Sequence, residues 1–291
     1  MRLPRPGYPP GAVSDMISRP GSIALSFRDE FRRLLLRGLT TQVVAVAENG
    51  QPVLVQERHA RETLGGERGP PTADSFHGGK DLTGVRVWEA APDLIDYLSQ
   101  HRSRLLEGRS LLDLGSGTGA VGLAAAAFGA ERVVLSDMDS TATFATETGW
   151  EERSTLEALA ENAALNGARA SAVSIAELKW GCEAQIENVR ERFGRGGFET
   201  LTASDVLYYR PDTYGALAAT IRALAAADGA VVLAYRVRHG DEHGFVELLT
   251  RGTPPFEVVH RGGADARVSP QDRQSGSVKE KWVVELRAPG G

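Results

Sequence analysis

The chain has 291 residues, of which 42% are hydrophobic and 24% charged, and a formal net charge of −5 at pH 7. This length can bury one sizeable core with chain to spare, and the acidic balance argues against a dedicated nucleic-acid binder, so no nucleic-acid partner is expected. No apolar run approaches the roughly 18 residues of a membrane span, the first residues lack the apolar stretch of a secretory signal, and the lone Cys182 has no internal disulfide partner, so a cytoplasmic, reducing setting is expected, without a membrane partner and as a monomer.

Residues 1–40 carry seven arginines against Asp15, Asp29 and Glu30, together with many prolines and glycines. They read as a loosely ordered N-terminal extension with a short helix over Phe27–Arg37; a transit peptide, with organellar targeting, is the alternative. A second unit, 41–83, begins with Thr41–Ala47 and Pro52–Gln56 on either side of Asn49-Gly50, a strong hairpin signal. Residues 58–83 are rich in Gly, Pro and charge and read as a loop beside the site.

Residues 84–288 form the third unit. Val85–Trp88 reads as strand and Ala90–Gln100 as helix, with Pro92 acceptable in the first turn. Strands are expected at 110–114, 132–136, 170–174, 198–204, 229–235, 256–260 and 281–286, and helices at 120–128, 153–166, 212–225 and 241–250. Asp212 or Thr213, and Asp241, can cap the last two helices. Strands alternating with helices predict an α/β, Rossmann-like, seven-stranded, mostly parallel sheet with helices on both faces. The last two strands lack an intervening helix and should pair as an antiparallel hairpin. Residues 139–153 read as an insertion.

Chemistry concentrates in Ser110–Gly122, where an apolar strand runs into Gly115, Gly117 and Gly119 and then into a small-residue helix. Gly117–Gly122 satisfies the dinucleotide pattern G-x-G-x-x-G. Asp113, at the end of the strand, would repel a pyrophosphate but suits a ligand bearing an ammonium group. S-adenosylmethionine is such a ligand. Asp137, at the tip of the next strand, suits a ribose hydroxyl pair in either case. His239 and His243 have no evident third partner, so no metal site is expected.

The stretch Leu112–Leu123 resembles motif I of class I S-adenosylmethionine-dependent methyltransferases, and especially methyltransferase family 16, whose members methylate lysines of non-histone proteins. Val87–Ala91, Leu156–Asn166, Leu178-Lys-Trp-Gly181 and Ala203–Tyr209 resemble that family's other motifs, in order. The likeness implies that Trp88 lies beside the methionine end of the cofactor and that Gly115, Ser116, Gly117 and Gly119 bring backbone close to it. It further implies that Asp137 holds the ribose, Trp180 lies against the adenine, and Ser204 and Asp205 end a strand at the reaction centre. Asp205 would orient the incoming lysine ammonium and Tyr208 fix its approach, with no dedicated general base. The partner implied is a protein presenting a lysine. A small-molecule or protein-histidine N-methyltransferase, an NAD(P)-dependent oxidoreductase and a catalytically silent cofactor-binding scaffold stand as alternatives.

Overall fold

The structure is a computed structural model that describes residues 39–47, 49–58, 84, 86–146, 149–167, 172–207, 211–238, 240–263 and 280–290. The expected helix at 27–37, the loop at 59–83 and Tyr208 lie outside the described residues.

Two strands open the described chain, β1 (Leu39–Val46) and β2 (Pro52–Arg58), paired antiparallel through the turn at Asn49-Gly50. Helices α1 (Ala91–Gln100) and α2 (Arg102–Leu105) precede the main sheet. Then come β3 (Ser110–Leu114), α3 (Ala120–Ala127), β4 (Arg132–Asp137), the hairpin β5 (Thr141–Thr146) with β6 (Gly149–Ser154), and α4 (Thr155–Ala164). The chain continues through β7 (Val173–Glu177), α5 (Glu183–Phe193), β8 (Phe198–Ser204), α6 (Tyr214–Leu224), β9 (Ala225–Arg236), α7 (Glu242–Thr250), β10 (Glu257–Gly263) and β11 (Lys281–Arg287).

The seven-stranded sheet has the order β10-β11-β9-β8-β3-β4-β7. Strands β7, β4, β3, β8 and β9 run parallel, and β11 is antiparallel to both β9 and β10. The C-terminal pair is thus the expected antiparallel hairpin, with β11 wedged between β9 and β10. From β3 the chain first builds outward through β4 to β7, then returns to build the other way through β8. The strand order reverses at β3, and α/β sheets open their ligand crevice at such a point.

Alternation along the strands divides the core into two layers. Leu112, Leu114, Val231, Leu233 and Tyr235 face the α5, α6 and α7 side. Leu111, Val133, Leu135, Val232 and Ala234 face α1, α3 and α4, and Val53 and Val55 of β2 join that second layer. The N-terminal hairpin is therefore part of the core.

Four expectations are corrected. Residues 86–88 are not a strand. The strand expected at 170–174 lies at Val173–Glu177, because Val173 and Ile175 supply the register that pairs with β4. Helix α5 was not foreseen; its sequence is mostly polar and buries only Ile186 and Val189, so its apolar stripe is thin. The insertion at 139–153 is largely the hairpin β5–β6, a two-stranded sheet of its own that is not hydrogen-bonded into the main sheet. Ser154 closes it and starts α4 with a capping box through Glu157. Thr213 and Asp241 stand at the helix starts as expected, without side-chain caps.

Helices α1 and α2 are bonded to the sheet through a buried carboxylate. Glu285 on β11 is 1% exposed; it accepts a hydrogen bond from the Tyr97 hydroxyl at 2.8 Å and pairs with both terminal nitrogens of Arg104. Burial alone would raise its carboxyl, but these partners hold it below the usual range. Arg104→Met is expected to cost about 2 kcal/mol at pH 7, less than a fully buried pair because the arginine is half exposed. The deficit should shrink as pH falls below about 4, where the unfolded carboxyl also protonates. Urea unfolding at the two pH values checks both points.

Candidate active site

At the C-terminal ends of β3, β4 and β8 lies a cleft of about 630 Å³, open to solvent. Gly115, Ser116 and Gly117 form one wall, Trp88 and Trp180 contribute aromatic surface, and Asp113, Asp137, Ser204 and Asp205 supply its polar groups. Nine of the eleven residues singled out from the sequence therefore meet in one cavity. Gly119 does not line it, and Tyr208 lies outside the described residues. Gly84, Arg86, Ala91, Thr118 and Val206 also line it and were missed; Thr118, enclosed by the glycines, carried a usable signal.

The turn after β3 takes its path from backbone constraints. Gly115 has φ 64°, and a Cβ there would stand 3.0 Å from Val206 and 3.2 Å from Trp180, so its missing side chain admits both neighbours. Gly119 has φ 82°, and its Cβ would meet Leu159 at 2.7 Å, so this glycine serves the packing of α4. The turn is fastened to β4: Ser116 N–H donates to the Ser136 carbonyl at 2.9 Å, and Gly117 N–H donates to Asp137 Oδ2 at 2.7 Å. Asp137 Oδ1 accepts from Met138 N–H.

Asp113 is 2% exposed. Thr202 donates to its Oδ1 at 2.7 Å, and Oδ2 has no hydrogen-bond partner among the described residues. Burial pushes its carboxyl up to about 6; Thr202 and nearby donors pull it partly back, and the charge of Asp137 adds to the rise. Ser204 Oγ is likewise buried without a partner.

Asp205 is 5% exposed and sits at φ 54°, a left-handed conformation that aspartate tolerates better than most residues. Its N–H still bonds the Ala234 carbonyl at 2.8 Å, so the strain lies where β8 leaves the sheet. Oδ2 accepts from Ala90 N–H at 3.0 Å, and Oδ1 lies 3.0 Å from a terminal nitrogen of Arg238, an ion pair without the alignment of a hydrogen bond. The arginine lies 33 residues further along the chain and has no sequence motif to announce it. Trp180 is set by the turn between β7 and α5, where Gly181, at φ 77°, donates its N–H to Thr220 Oγ1 at 2.9 Å.

This arrangement fits S-adenosylmethionine. Asp113 Oδ2, Ser204 Oγ and Asp205 Oδ1 are buried polar atoms of the cavity lining without a hydrogen bond among the described residues, and the first, which has no cation beside it, suits an ammonium group. Asp137 stands at a strand end, as a ribose-binding carboxylate does.

Comparison with known proteins agrees. Residues 76–252 match the family described as lysine methyltransferase, methyltransferase family 16. Protein N-lysine methyltransferase METTL21A of Danio rerio is 31% identical over 182 residues, 62% of this chain and 74% of that protein. EEF1A lysine methyltransferase 3 of Mus musculus is 28% identical over 57% of this chain and 62% of its own length. Among solved structures, a sam-dependent methyltransferase from Streptococcus mutans shares the fold, with a TM-score of 0.53, 13% identity, and coverage of 87% of this chain and 56% of that one. The chain thus belongs to methyltransferase family 16, the lysine methyltransferases that take their methyl group from S-adenosylmethionine.

Proposed function

We propose that this protein methylates a lysine side chain of a non-histone protein, with Asp205 at the acceptor end of the cavity. The observation that carries the assignment is the treatment of the Asp205 carboxylate, buried at the cavity wall yet already paired with Arg238. Relatives named for protein N-lysine and EEF1A lysine methylation support the acceptor class. A monomer working in the cytoplasm is part of the same reading, the lone cysteine supporting only the reducing compartment.

S-adenosylmethionine, when bound, supplies an electrophilic methyl group, so the chain's own task is alignment and exclusion of water. Asp113 would hold the ammonium of the methionine portion through its unpartnered oxygen, Asp137 would hold the ribose, and the backbone of Gly115, Ser116 and Gly117 would lie close to the cofactor. Trp88 would lie beside its methionine end and Trp180 against the adenine. Asp205 would orient the lysine, and the family resemblance gives Tyr208 the role of fixing its approach. A lysine must lose its proton before it can attack, and an unpaired carboxylate nearby would favour the charged form. Arg238 cancels that charge, so Asp205 can orient the amine without holding its proton, which passes to water.

Methyl-labelled cofactor incubated with the protein and purified EEF1A, or with a methyltransferase-depleted lysate, is expected to place label on lysine in a discrete protein band. Asp205→Asn should slow that transfer at least tenfold (about 1.4 kcal/mol) while leaving S-adenosylhomocysteine affinity within twofold. Label confined to small metabolites would refute the assignment.

Asp113 yields a second expectation with opposite signs. Its folded-state carboxyl titrates near 6 against an ordinary 3.8, so its contribution to stability is present below 3.8 and lost as pH rises through 6. Asp113→Asn should therefore stabilise the cofactor-free protein by about 2–3 kcal/mol at pH 7.5 and little at pH 4. The same charge is needed to bind an ammonium group. Wild-type affinity for S-adenosylhomocysteine should fall about tenfold between pH 7.5 and pH 5, whereas methylthioadenosine, which lacks that group, should bind independently of pH. Calorimetry at both pH values, with urea unfolding of the variant, tests the pair.

A further inference from the structure

The N-terminal hairpin lies outside the residues that match the family, yet two neighbouring residues of β2 are bonded to two segments that meet at the cavity, one directly and one through Asn162. Asn162 of α4 is 3% exposed. Its Oδ1 accepts the Gln56 N–H at 2.9 Å, and its Nδ2 donates to the Gln56 carbonyl at 3.2 Å, so the side chain pairs with β2 as another strand would. Asn166, one turn later, repeats the pattern with Leu54, accepting its N–H and donating to its carbonyl, both at 2.9 Å. The spacing of four residues on a helix sets both amides against alternate residues of the strand.

Asn162 has one more bond. Its Nδ2 also donates at 2.9 Å to the carbonyl of Thr118, within the glycine turn. Both donors and the acceptor of this amide are thereby used, joining β2 to the backbone that must close on the cofactor. Glu57 Oε1 accepts the N–H of Val87 at 2.7 Å, and Val87 and Trp88 both line the cavity. Adjacent residues of β2 thus fasten two segments of the cavity lining.

We propose that the hairpin is a component of the cofactor site: through Asn162 and Glu57 as positioning residues, it fixes the glycine turn and the Val87–Trp88 segment relative to one another, so hairpin docking and cofactor binding strengthen one another. Two sites tied to the same backbone are coupled reciprocally, and each must stabilise the other by the same factor. The inference rests on the family's cofactor occupying this cleft.

The test uses the full chain and S-adenosylhomocysteine. In the wild type, hydrogen exchange of the Leu54 and Gln56 amides, which do not line the cavity, is expected to slow about tenfold on saturation with S-adenosylhomocysteine. Calorimetry at 20 °C, well below unfolding, should show affinity about tenfold weaker for Asn162→Ala and for Glu57→Ala. Glu57→Gln, which keeps an oxygen acceptor, should restore it. A merely structural role would lower the melting temperature and leave affinity unchanged. Affinities within twofold of wild type in both alanine variants, or hairpin amides indifferent to ligand in the wild type, would overturn the proposal. The exchange measurement decides alone if the variants fail to fold. A wild-type protein that binds no S-adenosylhomocysteine would instead overturn the cofactor assignment.

Discussion

Five residues of backbone, Gly115 to Gly119, must leave the sheet at its switch point and turn straight into α3. Three of these residues are in left-handed conformations, and the turn closes on itself through Gly119 N–H to the Ser116 carbonyl at 2.7 Å. Such a path has many alternatives in an isolated chain, because glycine restricts little. It is fixed here from outside, by Ser136 and Asp137 of β4 and by Asn162 of α4. The positions of β4, α4 and the N-terminal hairpin follow from the need to hold this turn, and the rest of the cleft is arranged around it.

Buried carboxylates of this chain are treated in two ways. Glu285 and Asp205 each face an arginine, and Glu242, 1% exposed, accepts the N–H groups of Arg238 and Gly240, which shapes the loop that delivers Arg238. Asp113 has only neutral donors, and one of its oxygens has none. Burial without a cation disfavours its charged form, so Asp113 lowers stability at neutral pH in the cofactor-free protein.

The strongly local features were legible before any coordinates. Strand β3 and its glycine turn, the switch to α3, the strand-end carboxylates and the Asn49-Gly50 hairpin each depend on residues within a dozen positions of one another. The motifs around Trp88, Trp180 and Asp205 could be read as a set, and the cavity gathers those three residues. What escaped was weakly patterned or remote. Helix α5 shows few apolar residues, β7 was misplaced because its register belongs to its pairing with β4, and the hairpin in the insertion carries no alternation strong enough to read. Arg238 could not be recognised as part of the site, and the motif Leu156–Asn166 did not reveal what Asn162 bonds, because the contacts are with Asp205 and with the Thr118 carbonyl, far along the chain.

By itself, the sequence determined the α/β class, the position of the cofactor turn and the chemical character of its carboxylates, because short-range sterics and the periodicities of strand and helix are written in adjacent residues. Only the tertiary structure decided that β11 enters between β9 and β10, that Asp205 lies beside Arg238, and that the N-terminal hairpin is bonded through Asn162 to the glycine turn. Those outcomes turn on which partner occupies each buried polar group, and burial is a property of the assembled fold.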